Sequence, residues 1–132
     1  MKKFYLYIST VIAVIIGVFI AITLTNQTET TDMSDWKQTI EEEPGLVVDV
    51  RTQNEFDNGH LALTDLQLDF NSGEFEANVD NLDKDKTYYL YCRTGNRSGQ
   101  AATIMKERGF DNVYNIGGYK DLVSSGFESN SE

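Results

Sequence analysis

The single cysteine of the chain, Cys92, lies between a strand-like segment and a helix-like segment. Residues 87–91 form an apolar, β-rich run, residues 93–97 form a polar loop, and residues 98–108 have helical periodicity. The N–H groups of such a loop and helix start point toward the sulfur and toward any anion beside it. This environment favours the thiolate, which is the nucleophilic form of cysteine. The pattern therefore predicts that Cys92 is a nucleophile.

Two arginines, Arg93 and Arg97, flank this cysteine in a chain whose formal net charge is −10. A guanidinium group suits an oxyanion substrate because its N–H donors match oxygen pairs. We expect Arg93 first, and Arg97 second, to bind such an anion. The alternative for each is an ion pair with one of the many carboxylates of the chain. The acidic balance disfavours nucleic acid as a partner.

Only one cysteine and one histidine are present, which is too few for a metal site or an internal disulfide. We therefore expect no metal and no cofactor. We also expect the domain to act as a monomer. The length of the chain, 132 residues, allows one small domain with its own core.

The N-terminal quarter differs from the rest of the chain. Residues 4–24 carry no charge and are long enough to cross a hydrocarbon core of about 30 Å. Because Lys2 and Lys3 precede this run, we predict a transmembrane anchor over residues 1–25, with the domain outside the cytoplasm. A cleaved secretory signal, which would release the domain, is the alternative; the length of the run and the lack of a clear cleavage site disfavour it. Residues 26–33 are predicted to form a polar tether.

Strands and helices alternate over the predicted domain, residues 34–125. The predicted elements, in chain order, are a helix capped by Ser34 or Asp35, a strand over 46–50, a helical turn in 51–59, a loop and short strand in 60–70, a helix in 71–85, a strand over 87–91, the helix after the Cys loop, a strand over 111–116, a turn at 117–118 and a helix over 119–124. This order predicts an α/β fold, with a mostly parallel central sheet and helices on both faces. Ligands of such sheets bind at the C-terminal ends of the strands, which is where Cys92 falls. Residues 126–132 are predicted to be a frayed tail.

Three motifs in the order and spacing of one family occur in the soluble part of the chain. They are Asp49-Val50-Arg51 with Glu55-Phe56 and Gly59-His60-Leu61, then Tyr91-Cys92-Arg93-Thr94-Gly95-Asn96-Arg97-Ser98, and finally Asn115-Ile116-Gly117-Gly118-Tyr119. Residues 35–124 thereby resemble a rhodanese domain, of the single-domain exported type represented by phage shock protein E. The chain departs from the family pattern at Leu63 and Thr64, where Gly-Ala usually follows the first motif.

This resemblance implies a sulfurtransferase. The Cys92 thiolate would take the outer sulfur of a small anionic donor such as thiosulfate, carry it as a persulfide, and pass it to cyanide or a thiol. The residues expected to bind the donor and the persulfide are Arg93, Thr94, Gly95, Asn96, Arg97 and Ser98. Ser98 is also predicted to cap the helix. The residues expected to give structural support are Asp49, Arg51, Glu55 and His60.

Two other functions are compatible with a cysteine at this position. One is a membrane-tethered binding or redox-sensing module, in which Cys92 would be oxidised reversibly. A phosphatase-like or arsenate-reductase-like enzyme would resemble the pattern C-x5-R, in which the arginine holds the oxyanion. Here Ser98 occupies that sixth position and Arg97 comes one residue early, so the loop is too short to wrap a phosphate.

Overall fold

The computed structural model describes residues 35–130. The described elements, in chain order, are α1 (Asp35–Glu42), β1 (Leu46–Asp49), α2 (Gln53–Asp57), β2 (His60–Leu61), β3 (Leu66–Gln67), α3 (Glu74–Asn78), a 3-10 turn (Val79–Asn81), β4 (Tyr88–Cys92), α4 (Asn96–Glu107), β5 (Val113–Gly118), α5 (Tyr119–Ser124) and β6 (Ser129–Asn130).

The central sheet has four parallel strands in the order β3-β1-β4-β5. The inner strand β4 pairs with β1 on one side and with β5 on the other, and every one of its residues is buried. A strand covered on both faces is a continuous apolar run, as this one is. Cys92 is its last residue, so the predicted nucleophile stands at the C-terminal edge of the sheet.

Helices cover both faces of the sheet, as predicted. Along β4, Tyr88 and Leu90 belong to the same core as Cys92, whereas Tyr89 and Tyr91 belong to the other, because successive side chains alternate. The first core receives its apolar side chains from α3 and α4. The second core packs against α1 and α5. The sequence therefore predicted the α/β architecture correctly.

The predicted turn at 117–118 is wrong, and the helix predicted within 71–85 is confirmed but is shorter than that range. Gly117 and Gly118 belong to β5 and pair with Tyr91 and Cys92, past a register irregularity in the ladder. Because these pairings reach the end of β4, the strand runs through the glycines where a turn was predicted. The helix predicted within 71–85 is reduced to α3 and the 3-10 turn. The Asp83 carboxylate accepts the Asp85 amide at 3.0 Å, a local turn that competes with helix.

The prediction of a frayed tail is wrong for residues 126–130. Phe127 is only 3% exposed and belongs to the second core. Beyond it, β6 pairs antiparallel with β2, and the Ala62 amide donates to the Glu128 carbonyl at 2.9 Å. Burial of one aromatic side chain contributes about 1.5–3 kcal/mol, which holds this short segment against the domain.

The predicted anchor over residues 1–25 and the tether over 26–33 lie outside the described residues, and both stay predictions. Within residues 35–130, no helix is long and apolar enough to cross a bilayer. Fractionation of the full-length protein tests the anchor: we expect it in the membrane pellet after a high-salt wash, and recovery in the soluble fraction would contradict the anchor.

Candidate active site

The loop after Cys92 is held in place by a glycine at the start of α4. Gly95 has a φ of 90°, in the left-handed region that glycine reaches without steric cost, and it is the N-cap residue of the helix. Its amide donates to Cys92 Sγ at 3.1 Å. The helix therefore begins at Asn96, two residues earlier than predicted. The prediction that Ser98 caps the helix is wrong, since Ser98 is its third residue.

The glycine pair of the third motif lets β5 approach the Cys92 loop closely. A Cβ atom on Gly118 would lie 2.8 Å from the carbonyl oxygen of Arg93 and 3.1 Å from Cα of Thr94. These distances are shorter than van der Waals contact, so any other residue at this position would displace the loop. Gly118 thereby fixes the position of the backbone that surrounds the sulfur.

Ser98 and Asn115 connect the sulfur to strand β5. The Ser98 hydroxyl lies 3.4 Å from Cys92 Sγ and 2.7 Å from Asn115 Oδ1. Because a hydroxyl has one proton, it donates to only one of these acceptors at a time. The Asn115 amide also donates to the Gly95 carbonyl at 2.9 Å, and its oxygen accepts the Gly117 amide at 3.1 Å.

Asn115 was not predicted as a site residue, although it belongs to the third motif. Its side chain joins the loop, the helix and the strand, which makes it a positioning residue for the sulfur. The sequence did carry one signal: asparagine is depleted in strands, yet this one lies between the apolar residues Val113 and Ile116. A polar residue retained in a strand often has a bonding role of this kind.

The surroundings of Cys92 favour its thiolate. Burial raises the pKa of the Cys92 thiol, but hydrogen bonds from the Ser98 hydroxyl and from the amides of Ser98, Thr94 and Gly95 outweigh burial, so the pKa lies below its ordinary value. All of these groups are donors, and donors stabilise the charged form. The sequence predicted that the loop amides would favour the thiolate, and these hydrogen bonds agree with that prediction.

Replacement of Ser98 by alanine is expected to weaken this stabilisation. We expect the pKa of Cys92 to rise and its alkylation rate at neutral pH to fall about tenfold, because one hydrogen bond of about 1.4 kcal/mol to the sulfur is lost. Iodoacetamide alkylation followed across a pH series measures both. Thr103→Ala is the matched control, because that hydroxyl lies on the same helix and, among the described residues, bonds only to the Gly99 carbonyl. An unchanged pH profile in Ser98→Ala would contradict the expectation.

Arg97 adopts the carboxylate pairing that the sequence left open. Its guanidinium donates two hydrogen bonds of 2.8 Å to Glu55, which also forms a capping box with Thr52. The hydrogen bond from Arg97 is the largest cause that lowers the pKa of Glu55, which reaches about 2 despite burial. The stabilisation from this depressed pKa is complete above the ordinary carboxylate range and is lost only as pH falls toward 2. The pair thus persists at physiological pH.

Arg93 differs from Arg97 in its contacts. Its side chain is exposed and makes no ion pair or hydrogen bond with any residue in 35–130. The exposed guanidinium of the residue that follows Cys92 can bind an anion without first breaking a contact with residues 35–130. The geometry is therefore compatible with the expected order of the two arginines, with Arg93 ahead of Arg97.

The supporting residues of the first motif lie away from the hydrogen bonds of the sulfur. Asp49 and Arg51 form a buried ion pair of 2.6 Å, and Arg51 also donates to the Gly59 carbonyl at 2.8 Å. His60 stacks on the Phe56 ring with centroids 3.8 Å apart. None of these side chains bonds to Cys92 Sγ, and their expected structural role stays a prediction.

A depression of about 250 Å³ opens beside the Cys92 loop. The residues that line it are Arg51, Asn54, Glu55, Asn58, Gly59, Arg93, Tyr119 and Lys120. It joins the first motif, the loop and the start of α5, three segments that are distant in the sequence. The sequence did not single out Lys120, which follows the last residue of the third motif.

Comparison with known proteins identifies the family of this arrangement. A family model described as the Rhodanese-like domain matches residues 32–125. The chain belongs to the rhodanese-like family. A rhodanese from E. coli solved with anions aligns with a TM-score of 0.56 and 27% identity, over 66% of this chain and 98% of that one.

Three curated relatives share this rhodanese-like region. The uncharacterized protein YqhL of Bacillus subtilis is 36% identical over 76 residues, which is 56% of this chain and 57% of that protein. The thiosulfate sulfurtransferase GlpE of Shewanella oneidensis is 34% identical over 54% of this chain and 68% of its own length. The thiosulfate sulfurtransferase PspE of Escherichia coli is 48% identical over 41 residues, 31% of this chain and 39% of that protein. The chain thus spans less than two thirds of YqhL and PspE.

Proposed function

We propose that this protein is a sulfurtransferase that moves a sulfane sulfur from thiosulfate, or a similar small anionic donor, to cyanide or a thiol through a Cys92 persulfide. One observation carries the proposal: the sulfur of Cys92 is surrounded by hydrogen-bond donors that lower its pKa. The names of the GlpE and PspE relatives support the choice of thiosulfate as donor.

The first step is a displacement at sulfur. The Cys92 thiolate attacks the outer sulfur of thiosulfate, a new S–S bond forms, and the old S–S bond breaks with its electron pair leaving on sulfite. The product is a Cys92 persulfide anion. The amides that lower the thiol pKa are donors to this anion as well, so the loop stabilises both charged states.

The second step returns the enzyme to its starting state. Cyanide attacks the outer sulfur of the persulfide, the S–S bond breaks, and thiocyanate leaves while Cys92 keeps the electron pair as a thiolate. The total charge is conserved in both steps, and no proton has to move. This scheme needs no general base, in keeping with the donor-only surroundings of the sulfur.

Access to the sulfur requires the loop to move. Cys92 is fully buried, whereas Arg93 and Thr94 above it are exposed. The opening has to displace the backbone of these two residues, which packs closely against Gly118 in the closed loop.

The test is a single-turnover experiment without acceptor. Reduced protein mixed with thiosulfate is expected to release one sulfite per chain and then stop, and added cyanide should restart turnover with thiocyanate as product. Sulfite is measured with a colorimetric reagent. If folded, reduced protein released none, thiosulfate would be excluded as donor, and a sulfenic-acid probe after peroxide would then test the redox module.

A further inference from the structure

Among the residues that line the depression, two cationic side chains have no hydrogen-bond or ion-pair partner within residues 35–130. Four cations of residues 35–130 form neither an ion pair nor a hydrogen bond through their charged groups: Lys86, Arg93, Lys106 and Lys120. Two of these four, Arg93 and Lys120, line the depression beside the Cys92 loop. The other charged residues that line it, Arg51 and Glu55, are each neutralised by an ion pair.

The charge of the depression therefore depends on Arg93 and Lys120. They contribute a charge of about +2 in a protein whose formal net charge is −10. A dianion such as thiosulfate is repelled by the protein as a whole and also by the Cys92 thiolate that it must approach. Cations in a depression beside the Cys92 loop offset this repulsion while the donor approaches and binds.

The position of Lys120 is set by its neighbour Tyr119. The Tyr119 ring packs against the Arg51 guanidinium, whose carbon lies 4.4 Å from the ring centroid. Arg51 is in turn fixed by its buried pair with Asp49. The start of α5 is thus anchored to the buried core, and Lys120 on this helix is presented at the rim opposite α2. Its backbone is held while its ammonium group is free to meet a ligand.

From these observations we propose that Lys120 is a donor-binding residue, which together with Arg93 holds the anionic oxygens of the sulfur donor. This inference rests on the proposed sulfurtransferase function and adds to it the second cation of the donor site. Lys120 lies outside the Cys92 loop and outside the three motifs. Its proposed role is therefore to favour anionic donors, and it takes no part in the nucleophilic attack.

The test compares steady-state kinetics of Lys120→Gln and Lys120→Arg with those of the unmodified protein, in the thiosulfate–cyanide reaction. We expect Lys120→Gln to raise the KM for thiosulfate about fivefold, with kcat within about twofold, because one charge at the binding site is lost. Lys120→Arg should restore the KM. Added salt should raise the KM of the unmodified protein more steeply than that of Lys120→Gln.

Lys86→Gln is the matched control, since Lys86 is also exposed and unpaired within residues 35–130 but lies at the opposite end of β4. An equal KM in Lys120→Gln and the unmodified protein would overturn the inference, and so would an equal increase in Lys86→Gln. If the unmodified protein formed no thiocyanate, the proposed function itself would fail. These outcomes separate a failure of the Lys120 proposal from a failure of the sulfurtransferase proposal.

Discussion

Cys92→Ser is expected to lower thiocyanate formation from thiosulfate and cyanide to less than about one thousandth of the unmodified rate. Loss of a catalytic nucleophile costs this much or more in other enzymes. A serine hydroxyl needs a base to become a nucleophile, whereas the groups that bond to Sγ here, which include the Gly95 amide and the Ser98 hydroxyl, all donate. The thiocyanate–iron colour assay measures the rate.

The control for this substitution is a stability measurement on the same variant. Serine is close to cysteine in size, so the free energy of unfolding should change by about 1 kcal/mol or less, and the loss of activity then reports chemistry and not misfolding. A folded Cys92→Ser protein that kept a tenth of the activity would show that another group carries the sulfur.

Asp49→Ala is expected to lower the free energy of unfolding by about 3–5 kcal/mol, the largest stability effect that we predict. Asp49 is fully buried and Arg51 is 4% exposed, and the carboxylate accepts bonds from both the side chain and the amide of Arg51. Its removal leaves a buried guanidinium without a counter-charge. Urea denaturation followed by Trp36 fluorescence reports the change, because Trp36 packs against Tyr89.

Two further variants serve as comparisons for Asp49→Ala. Asp80→Ala removes one carboxylate from the more exposed Arg108 pair, and its cost should stay below about 1 kcal/mol. The double substitution Asp49→Leu with Arg51→Met removes both charges and should be less destabilising than Asp49→Ala alone. A cost for Asp49→Ala similar to that of Asp80→Ala would contradict a structural role for the buried pair.

Local sequence patterns were sufficient to predict the strand and the loop on either side of Cys92. The apolar run before Cys92 and the polar loop after it indicate a strand, a turn and a following helix by composition, although not the residue at which that helix begins. The side chains of β4 are apolar on both faces, so the two-sided core also followed from the pattern. These features depend on residues that are adjacent in the sequence.

Contacts between distant segments account for the differences. Glu55 and Arg97 pair across 42 positions, and no local pattern distinguishes a paired arginine from a free one. The start of α4 moved because Gly95 adopts a left-handed conformation, which glycine permits but does not signal. Phe127 holds the C-terminal segment through a core that only the assembled sheet creates. Each of these outcomes is decided by tertiary packing.

The two unpaired cations of the depression, Arg93 and Lys120, illustrate the same division. Arg93 was expected at the site because it follows Cys92 directly. Lys120 belongs to α5, and its distance from Cys92 in the sequence gives no indication that it lines the same depression as Arg93. The structure brings both to one depression through the parallel order of β4 and β5. The net charge of a site can therefore be predicted more reliably once the ion pairs of the fold are known.

The measurement that tests the account most directly is the intact mass of the reduced protein before and after thiosulfate, and again after cyanide. We predict a gain equal to one sulfur atom, its loss on addition of cyanide, and no gain in Cys92→Ser. An unchanged mass in folded, reduced protein, or a gain that persisted in Cys92→Ser, would contradict the claim that Cys92 carries the transferred sulfur.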